Sequence, residues 1–482
     1  MKRFLFTLSI LVCAAATCLA QTASGGSVPN ATGTTAGKAK LGQLPTSTYA
    51  GLPTCNSGND GQMYKVTDKN RDHYRCYGAG GNWVSTNGGV YNVQDFGAVG
   101  DGTADDAAAI NLAVTAAAAT SGKVVFPQRA GSASTVYKIT TPIDLFNNVS
   151  YESTSGQSVQ SGTTAVTISP RGAIYAFKRS TVASTVMGIH VKNITVDCYT
   201  DSASLGAFYL EGISYSSFEN VGFFPSGSLT SRQYGFRVLG ATYGAYQNHF
   251  TAFAGYISIS GGAKATAFSF ESAANGNVVI GGMVSGFDLP VIVDGTNGCQ
   301  FIGFSADTGM IDAFRFQNSS NSNYVTGGRF ESSEVAITSI SRTANVATVT
   351  HPASNYYTGQ LVRIFSVTGD TTFNAYAVPI TVIDATHFTY ASTGSNGSGT
   401  GGYYDIGNLV AFDATSTGNS VIYPAYIFGL GSLWTDASAN KNLVIGGSAA
   451  ATGASNSLTL TNSTPPTGSP SGGLSFILRE AS

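Results

Sequence analysis

Short apolar runs alternating with polar residues recur along most of this chain, and many of them open on asparagine. Asn193-Ile-Thr-Val, Asn220-Val-Gly-Phe, Asn248-His-Phe-Thr, Asn277-Val-Val-Ile, Asn323-Tyr-Val-Thr, Asn419-Ser-Val-Ile and Asn442-Leu-Val-Ile share one form, and Cys299-Gln-Phe-Ile fills the vacant slot. The spacings are 27, 28, 29, 22 and 24 residues up to Asn323, and 23 between the last two. A second apolar strand precedes most of these, as in Tyr234-Gly-Phe-Arg-Val, Ala267-Phe-Ser-Phe, Val291-Ile-Val and Ala313-Phe-Arg-Phe. Alternation predicts strands with one buried face. A fixed repeat of this length predicts a solenoid in which each repeat is one coil. Asn copies one coil apart would stand about 4.8 Å from each other and could hydrogen-bond as a stabilising ladder. An open sandwich would not explain one anchored repeat continuing through eight units. The fold class expected is all-β, a parallel β-helix.

The period breaks once, because Asn323 and Asn419 are 96 residues apart. The excess, residues 338–401, predicts a small inserted all-β domain that resembles a module of phage virion and bacterial surface proteins. Its strands are expected at 343–351, 359–367, 376–383 and 387–390, with 394–402 as a Gly/Ser return linker. The β-helix is expected over 89–337 and again over 402–447. Residues 21–88 predict a flexible leader and a small β module bracketed by Cys55 and Cys76, with Tyr64, Tyr74, Tyr77 and Trp83 either as its core or as a surface that stacks on sugar rings. Residues 448–482 are rich in Ser, Thr, Pro and Gly, and predict a tail with one cap strand near 474–478.

Ahead of the repeat stand residues 89–110, GVYNVQDFGAVGDGTADDAAAI, followed by GKVVFP at 122–127. Gly97, Gly100 and Gly102 mark tight turns. Thr103 and Asp106 form a pair like a capping box, with Asp105 and Asp106 expected in the first turn of a helix. Ala107, Ile110, Leu112 and Val114 supply its apolar stripe. This segment resembles the opening signature of the pectate-lyase-like superfamily, in its rhamnogalacturonase/epimerase-like branch. The resemblance implies a right-handed β-helix with an N-terminal capping helix, and a polysaccharide as partner. It implies no particular catalytic residue. The polygalacturonase-type Gly-His-Gly motif is missing, Asp-Asp occurs only at Asp105-Asp106 in the cap, and the pectate lyase Arg-x-Pro-x-x-Arg pattern does not occur.

Composition narrows the function classes. Charged residues are 10% of the chain and Gly numbers 59, which favours turns and stacked β structure over helix. Residues 1–20 read as a secretory signal, with Lys2 and Arg3 before an apolar centre. Removing Lys2 and Arg3 from the 24 Lys+Arg leaves 22 against 26 Asp+Glu, a mature net charge of −4. That balance draws neither nucleic acid nor an anionic membrane, and no later apolar run reaches spanning length. The expected location is extracellular or periplasmic. There a Cys55–Cys76 disulfide is expected, with Cys198 and Cys299 as buried thiols. Cysteine and histidine spacing gives no zinc site. No cofactor is called for, and calcium has no supporting motif. Oligomeric state is not readable.

Candidate chemistry falls in two clusters. Aligned by Asn, Glu271, Asp294, Gln317 and Asp413 share one register, which would set neighbouring carboxylates about 5 Å apart, as a retaining glycosidase requires. Asp307, Asp312, Glu331 and Glu334, with Arg315 and Arg329 as sugar-binding cations, border the insertion. His190 and His249 are isolated. The expected function is polysaccharide hydrolysis or lyase chemistry with Asp307, Asp312, Glu331, Glu271 and Asp294 as catalytic candidates. The alternatives are a non-catalytic carbohydrate-binding or adhesive β-helix and a spike-like structural one.

Overall fold

The computed structural model describes residues 44–445, apart from 68–72, 78–81, 87, 130–131, 133, 156–165, 227–231, 258–263, 308–309, 332–333, 354–355, 357, 360, 407, 423–425, 429–431 and 439–441. The expected secretory signal and the C-terminal tail with its cap strand lie outside the described residues.

Each coil has three strands, one more than the apolar pattern suggests. One coil runs Gly206–Glu211, Ser217–Glu219, Gly222–Phe224, and the next runs Gln233–Leu239, His249–Thr251, Ala254–Tyr256. Stacking in parallel yields a long-strand sheet of eight strands and two short-strand sheets of eleven and ten among the described residues. The two short strands meet at a two-residue corner. Its first residue takes a positive φ in coil after coil: Asn193, Asn220, Ala252, Gly281, Gly303 and Gly327. Only Gly and, at some cost, Asn adopt this readily. The second corner residue points inward where it has a side chain, as Val221, Phe253 and Phe304 do.

Inward residues build one continuous core. Phe177, Phe208, Phe236 and Phe268 stack face to face at 4.6, 4.8 and 5.4 Å, and Phe218 stacks on Phe250 at 5.0 Å. The in-register strands fix this spacing, close to the inter-strand distance of about 4.8 Å.

The asparagines occupy two different corners. Asn248, Asn277, Asn323, Asn419 and Asn442 stand just before the first short strand, whereas Asn193 and Asn220 stand just after it. The 28-residue step from Asn220 to Asn248 therefore crosses from one corner to the other. The first group forms an internal ladder. The Asn277 side-chain carbonyl accepts both the backbone N–H and the side-chain amide of Asn248, each at 2.9 Å. Asn419 serves Asn323 in the same way at 3.1 and 2.8 Å, and Asn442 serves Asn419 at 3.0 and 2.9 Å. The Asn277 amide donates to the Ala245 and Ala274 carbonyls. Replacing Asn277 with alanine would strand two buried donors on Asn248. We expect a loss of about 2–3 kcal/mol, read from the denaturation midpoint. Replacing Asn193 should cost less, because it lies at the other corner.

The helix Ala107–Ala118 caps the solenoid. Asp105 and Asp106 precede it instead of forming its first turn, and the expected capping box is absent. Asp106 instead accepts the Val99 and Gly100 N–H groups at 2.6 and 3.1 Å, fastening the glycine turn. Leu112, expected in the apolar stripe, is 57% exposed; the buried face is Ala107, Ile110, Ala113, Val114 and Ala117. Upstream, Cys55 and Cys76 are disulfide-bonded with Cα atoms 5.4 Å apart. Trp83 beside them packs on Tyr64 and donates to the Pro53 carbonyl.

The chain leaves the solenoid after Arg329–Glu331 and returns at Asn408–Phe412, where Asp312 pairs in register with Asn408. Between them an eight-stranded sheet encloses its own core of Ile340, Val349, Ile364, Phe373, Phe388 and Tyr404, among others. It begins at Val335–Ala336 and ends at Tyr403–Ile406, wider than the expected 338–401 on both sides. The expected return linker contains the strand Gly397–Gly399, which pairs with Ile340–Arg342.

Asp405 is buried in that sheet against Arg363. Burial pushes its carboxyl up to about 6 from an ordinary 3.8, against the opposing pull of Arg363. The folded value lies above the unfolded one, so the charged form costs stability. As pH falls through about 6 toward 4, the folded state takes up a proton before the unfolded state does, and stability rises. A gain on the order of 1–2 kcal/mol is expected for this sheet between pH 7 and pH 4, measured by thermal melting. Asp405→Asn should flatten that slope.

Candidate functional site

The outer face of the long-strand sheet gathers aromatic and charged side chains on successive coils. One row runs Lys178, Tyr209, Arg237, Ser269, Ile292 and Arg315 in strict register. A second runs Tyr175, Gly206, Tyr234 and Thr266. A third places Glu211 beside Leu239, then Glu271, Asp294 and Gln317.

Contacts tie the rows together. Tyr175 and Tyr209 rings lie 5.3 Å apart. The Lys178 ammonium sits 5.2 Å over the Tyr209 ring, and the Arg237 guanidinium lies 5.9 Å from Tyr209 and 5.3 Å from Tyr234. Arg237 also grips Glu271 through two bonds of 2.9 Å. The Glu271 hydrogen bond is the largest influence raising the Arg237 pKa. Burial pushes the Tyr175 phenol up to about 12, and raises Tyr209 and Tyr234 as well. All three phenols therefore stay neutral near pH 7 and can donate hydrogen bonds. Gly206 presents no side chain between Tyr175 and Tyr234. A Cβ there would stand 2.0 Å from the Tyr234 carbonyl oxygen, so the notch above it is imposed by packing.

The structure divides the expected site residues between faces. Glu271, Asp294 and Arg315 lie on the long-strand sheet, with Glu271 paired to Asp294 across adjacent coils. Asp294 accepts from Gln317 Nε2 at 2.8 Å and Asn318 Nδ2 at 2.7 Å. Asp413 is consumed by a turn, accepting from Asn318, Thr415 and Ser416 backbone N–H groups. Asp312 has a fully buried side chain and anchors Arg315, whose Nε donates to it at 2.8 Å. It is not presented to solvent as an acid. Asp307 and Glu331 pair with each other on a different sheet, where Glu331 is bonded to Arg329. The second expected cluster is therefore split, with Asp312 and Arg315 on the long-strand sheet and Asp307, Arg329 and Glu331 on another. His190 and His249 flank Ser217 on the third sheet.

Tyr175, Lys178, Tyr209, Tyr234 and Arg237 were not among the expected residues. A signal for them exists in the sequence. In Tyr175-Ala-Phe-Lys178, Phe208-Tyr209 and Tyr234-Gly-Phe-Arg237, the residue just after each inward Phe points outward. Cys198 and Cys299 are buried thiols, with burial pushing them up to about 12 and about 11. Among the described residues, no three His, Cys, Asp or Glu side chains converge as a metal site. No described helix is long and apolar enough to cross a membrane.

Comparison with known proteins bears on the chain as follows. No curated protein sequence matches it. Among solved structures, it resembles ORF18 of Geobacillus virus E2 (15% identity, 75% of this chain and 89% of that one, TM-score 0.35). It also resembles the tailspike protein of Acinetobacter phage vB_ApiP_P1 (16%, 60% and 60%, TM-score 0.38). A third is the mannuronan C-5 epimerase AlgE6 A-module of Azotobacter vinelandii (13%, 75% and 99%, TM-score 0.31). Residues 90–289 match the family described as rhamnogalacturonase A/epimerase, pectate lyase-like. That span, less than half of the chain, holds the capping helix, the glycine turns and the coils bearing Tyr175, Tyr209, Tyr234, Arg237 and Glu271, so it is the coils of this right-handed parallel β-helix next to its cap that are similar to the rhamnogalacturonase A/epimerase, pectate lyase-like family.

Proposed function

We propose that this is an exported protein that engages an extracellular polysaccharide along the outer face of its long-strand sheet. The observation that carries the reading is the ladder of Lys178, Tyr209, Tyr234 and Arg237, with Arg237 held by Glu271. Sugar rings have apolar faces that pack on aromatic rings, and hydroxyls that pair with carboxylates, guanidinium groups and phenols. Coils repeating every ~4.8 Å suit a repeating polymer better than a small ligand. The disulfide in the N-terminal module supports an oxidising location.

The geometry favours binding first. Glu271 and Asp294 are each held by protein donors, which keeps them rigid acceptors for sugar hydroxyls. Cleavage is the second reading, and the adjacency of Glu271 and Asp294 favours it. Neighbouring coils set such a pair close to the ~5–5.5 Å used by retaining glycosidases. The test is incubation with alginate, polygalacturonate, carrageenan and dextran, following both binding and product size. Binding without chain shortening supports the first reading. Chain shortening that Glu271→Gln and Asp294→Asn abolish, with binding retained, supports the second. Absence of binding to any polymer would overturn both.

A further inference from the structure

The ladder face is blocked at its N-terminal end. An isolated parallel bridge joins Ile143 to Phe177, which makes Asp144 the neighbour of Lys178 one coil nearer the N-terminus. Beyond Asp144 the row meets the capping helix instead of another coil. Asn111 of that helix donates to the Pro142 carbonyl at 2.9 Å, and its side-chain oxygen accepts the Asp144 N–H at 2.9 Å. The helix is thus pinned across the end of the row.

A cleft of about 360 Å³ opens there, lined by residues including Asn111, Thr115, Asp144, Phe146, Lys178 and Ser180. Its volume lies within the range of small-ligand sites, about 300–1,000 Å³. Lys178 belongs both to the cleft and to the ladder, since its ammonium lies over Tyr209. The Asp144 carboxylate is oriented by three donors: Leu145 N–H at 2.9 Å, Ser180 N–H at 2.8 Å and the Ser180 hydroxyl. A carboxylate has about four acceptor positions, so capacity remains for a sugar hydroxyl. Arg179 also lines the cleft, and its Nη1 donates to the Ser184 and Glu211 carbonyls. Phe146 supplies an apolar surface against which one sugar face can lie.

We infer that this cleft is a blind end of the glycan track and seats the terminal pyranose of a chain lying on the ladder. The protein then takes its polysaccharide by an end, not from the middle. This rests on the reading of the ladder as the glycan face. An internal stretch of polymer would have to continue through the helix, whereas a terminal ring can stop at Asn111 and Thr115 with one hydroxyl paired to Asp144.

The test uses the full chain and length-fractionated samples of whichever of alginate, polygalacturonate, carrageenan or dextran it binds. Isothermal titration should give a number of bound proteins per chain that is independent of chain length. Thr115→Trp, which fills the cleft from the exposed helix surface, should weaken binding at least ten-fold, while Thr115→Ser should not. A site count that rises with chain length overturns the inference, as does Thr115→Trp binding as tightly as wild type. If Thr115→Trp does not fold, the length series on the wild type decides alone. Tyr209→Ala separates the two levels. If it abolishes binding while site count scales with length, the ladder reading stands and chain-end recognition falls. If no polymer binds, or Tyr209→Ala leaves binding unchanged, both fall.

Discussion

Replacing Phe236 with alanine lowers the stability of the β-helix by about 3–5 kcal/mol, the usual range for a buried phenylalanine. Phe236 is 1% exposed. It stacks on Phe208 at 4.8 Å and Phe268 at 5.4 Å, and meets the edges of Phe218 and Phe250 at 5.2 and 4.8 Å. Cavities of this size cost least where the surroundings collapse into them. Here the coils above and below are held apart by in-register parallel hydrogen bonding, so little collapse is available. The expected value therefore lies in the upper part of the range. Chemical denaturation followed by circular dichroism reads it. Tyr256→Ala, on the outer surface of the same region, should stay within about 0.5 kcal/mol of wild type. A Phe236→Ala loss below about 1 kcal/mol would show that the core is not the rigid stack described.

Arg237→Ala lowers polysaccharide affinity at least ten-fold, about 1.4 kcal/mol. The side chain does three things at once. It covers the Tyr209 ring, lies over the Tyr234 ring, and clamps Glu271 through a two-bond fork. Its removal frees Glu271, whose side chain is only 15% exposed, to swing out of the binding geometry. A stability cost of about 1–3 kcal/mol accompanies this. It is smaller than for a fully buried pair because Arg237 itself is partly solvated. Arg237→Lys keeps the charge but not the planar fork, and should rescue affinity only in part. Titration against the bound polymer, beside a denaturation curve, separates the two effects. Wild-type affinity in Arg237→Ala would contradict the assignment of this face.

The coil repeat, the capping helix and the break at the insertion were legible because each has a periodic or turn-forming signal. Asn277 and Asn323 announce a coil, Gly97 and Gly100 announce the cap, and the gap before Asn419 announces the excursion. The third strand of each coil was not legible. Two three-residue strands joined by a short corner, as in Val278–Ile280 and Met283–Ser285, read as a single run. For the same reason Asn220 was merged with Asn248, although they sit on opposite sides of a short strand. The 28-residue step between them, flanked by steps of 27 and 29, gives no sign that the corner has changed. The ladder was missed because aromatic residues signal core as readily as surface. Phe208 and Tyr209 are adjacent, and only the register of neighbouring coils shows that one faces in and the other out. The acidic register of Glu271 and Asp294 could be aligned from the sequence. The Arg237 partner could not, since it lies 34 residues away with no pattern linking the two.

The central claim is that a polysaccharide lies on the long-strand face, and hydroxyl-radical footprinting of the side chains tests it most directly. The protein is oxidised with and without a saturating amount of whichever panel polymer it binds, and each tyrosine and methionine is quantified by mass spectrometry. Tyr209 and Tyr234 should be protected several-fold by the polymer. Tyr256 and Met283, exposed on a short-strand sheet, should react at unchanged rates. Protection of Tyr256 and Met283 with Tyr209 unaffected would contradict the account.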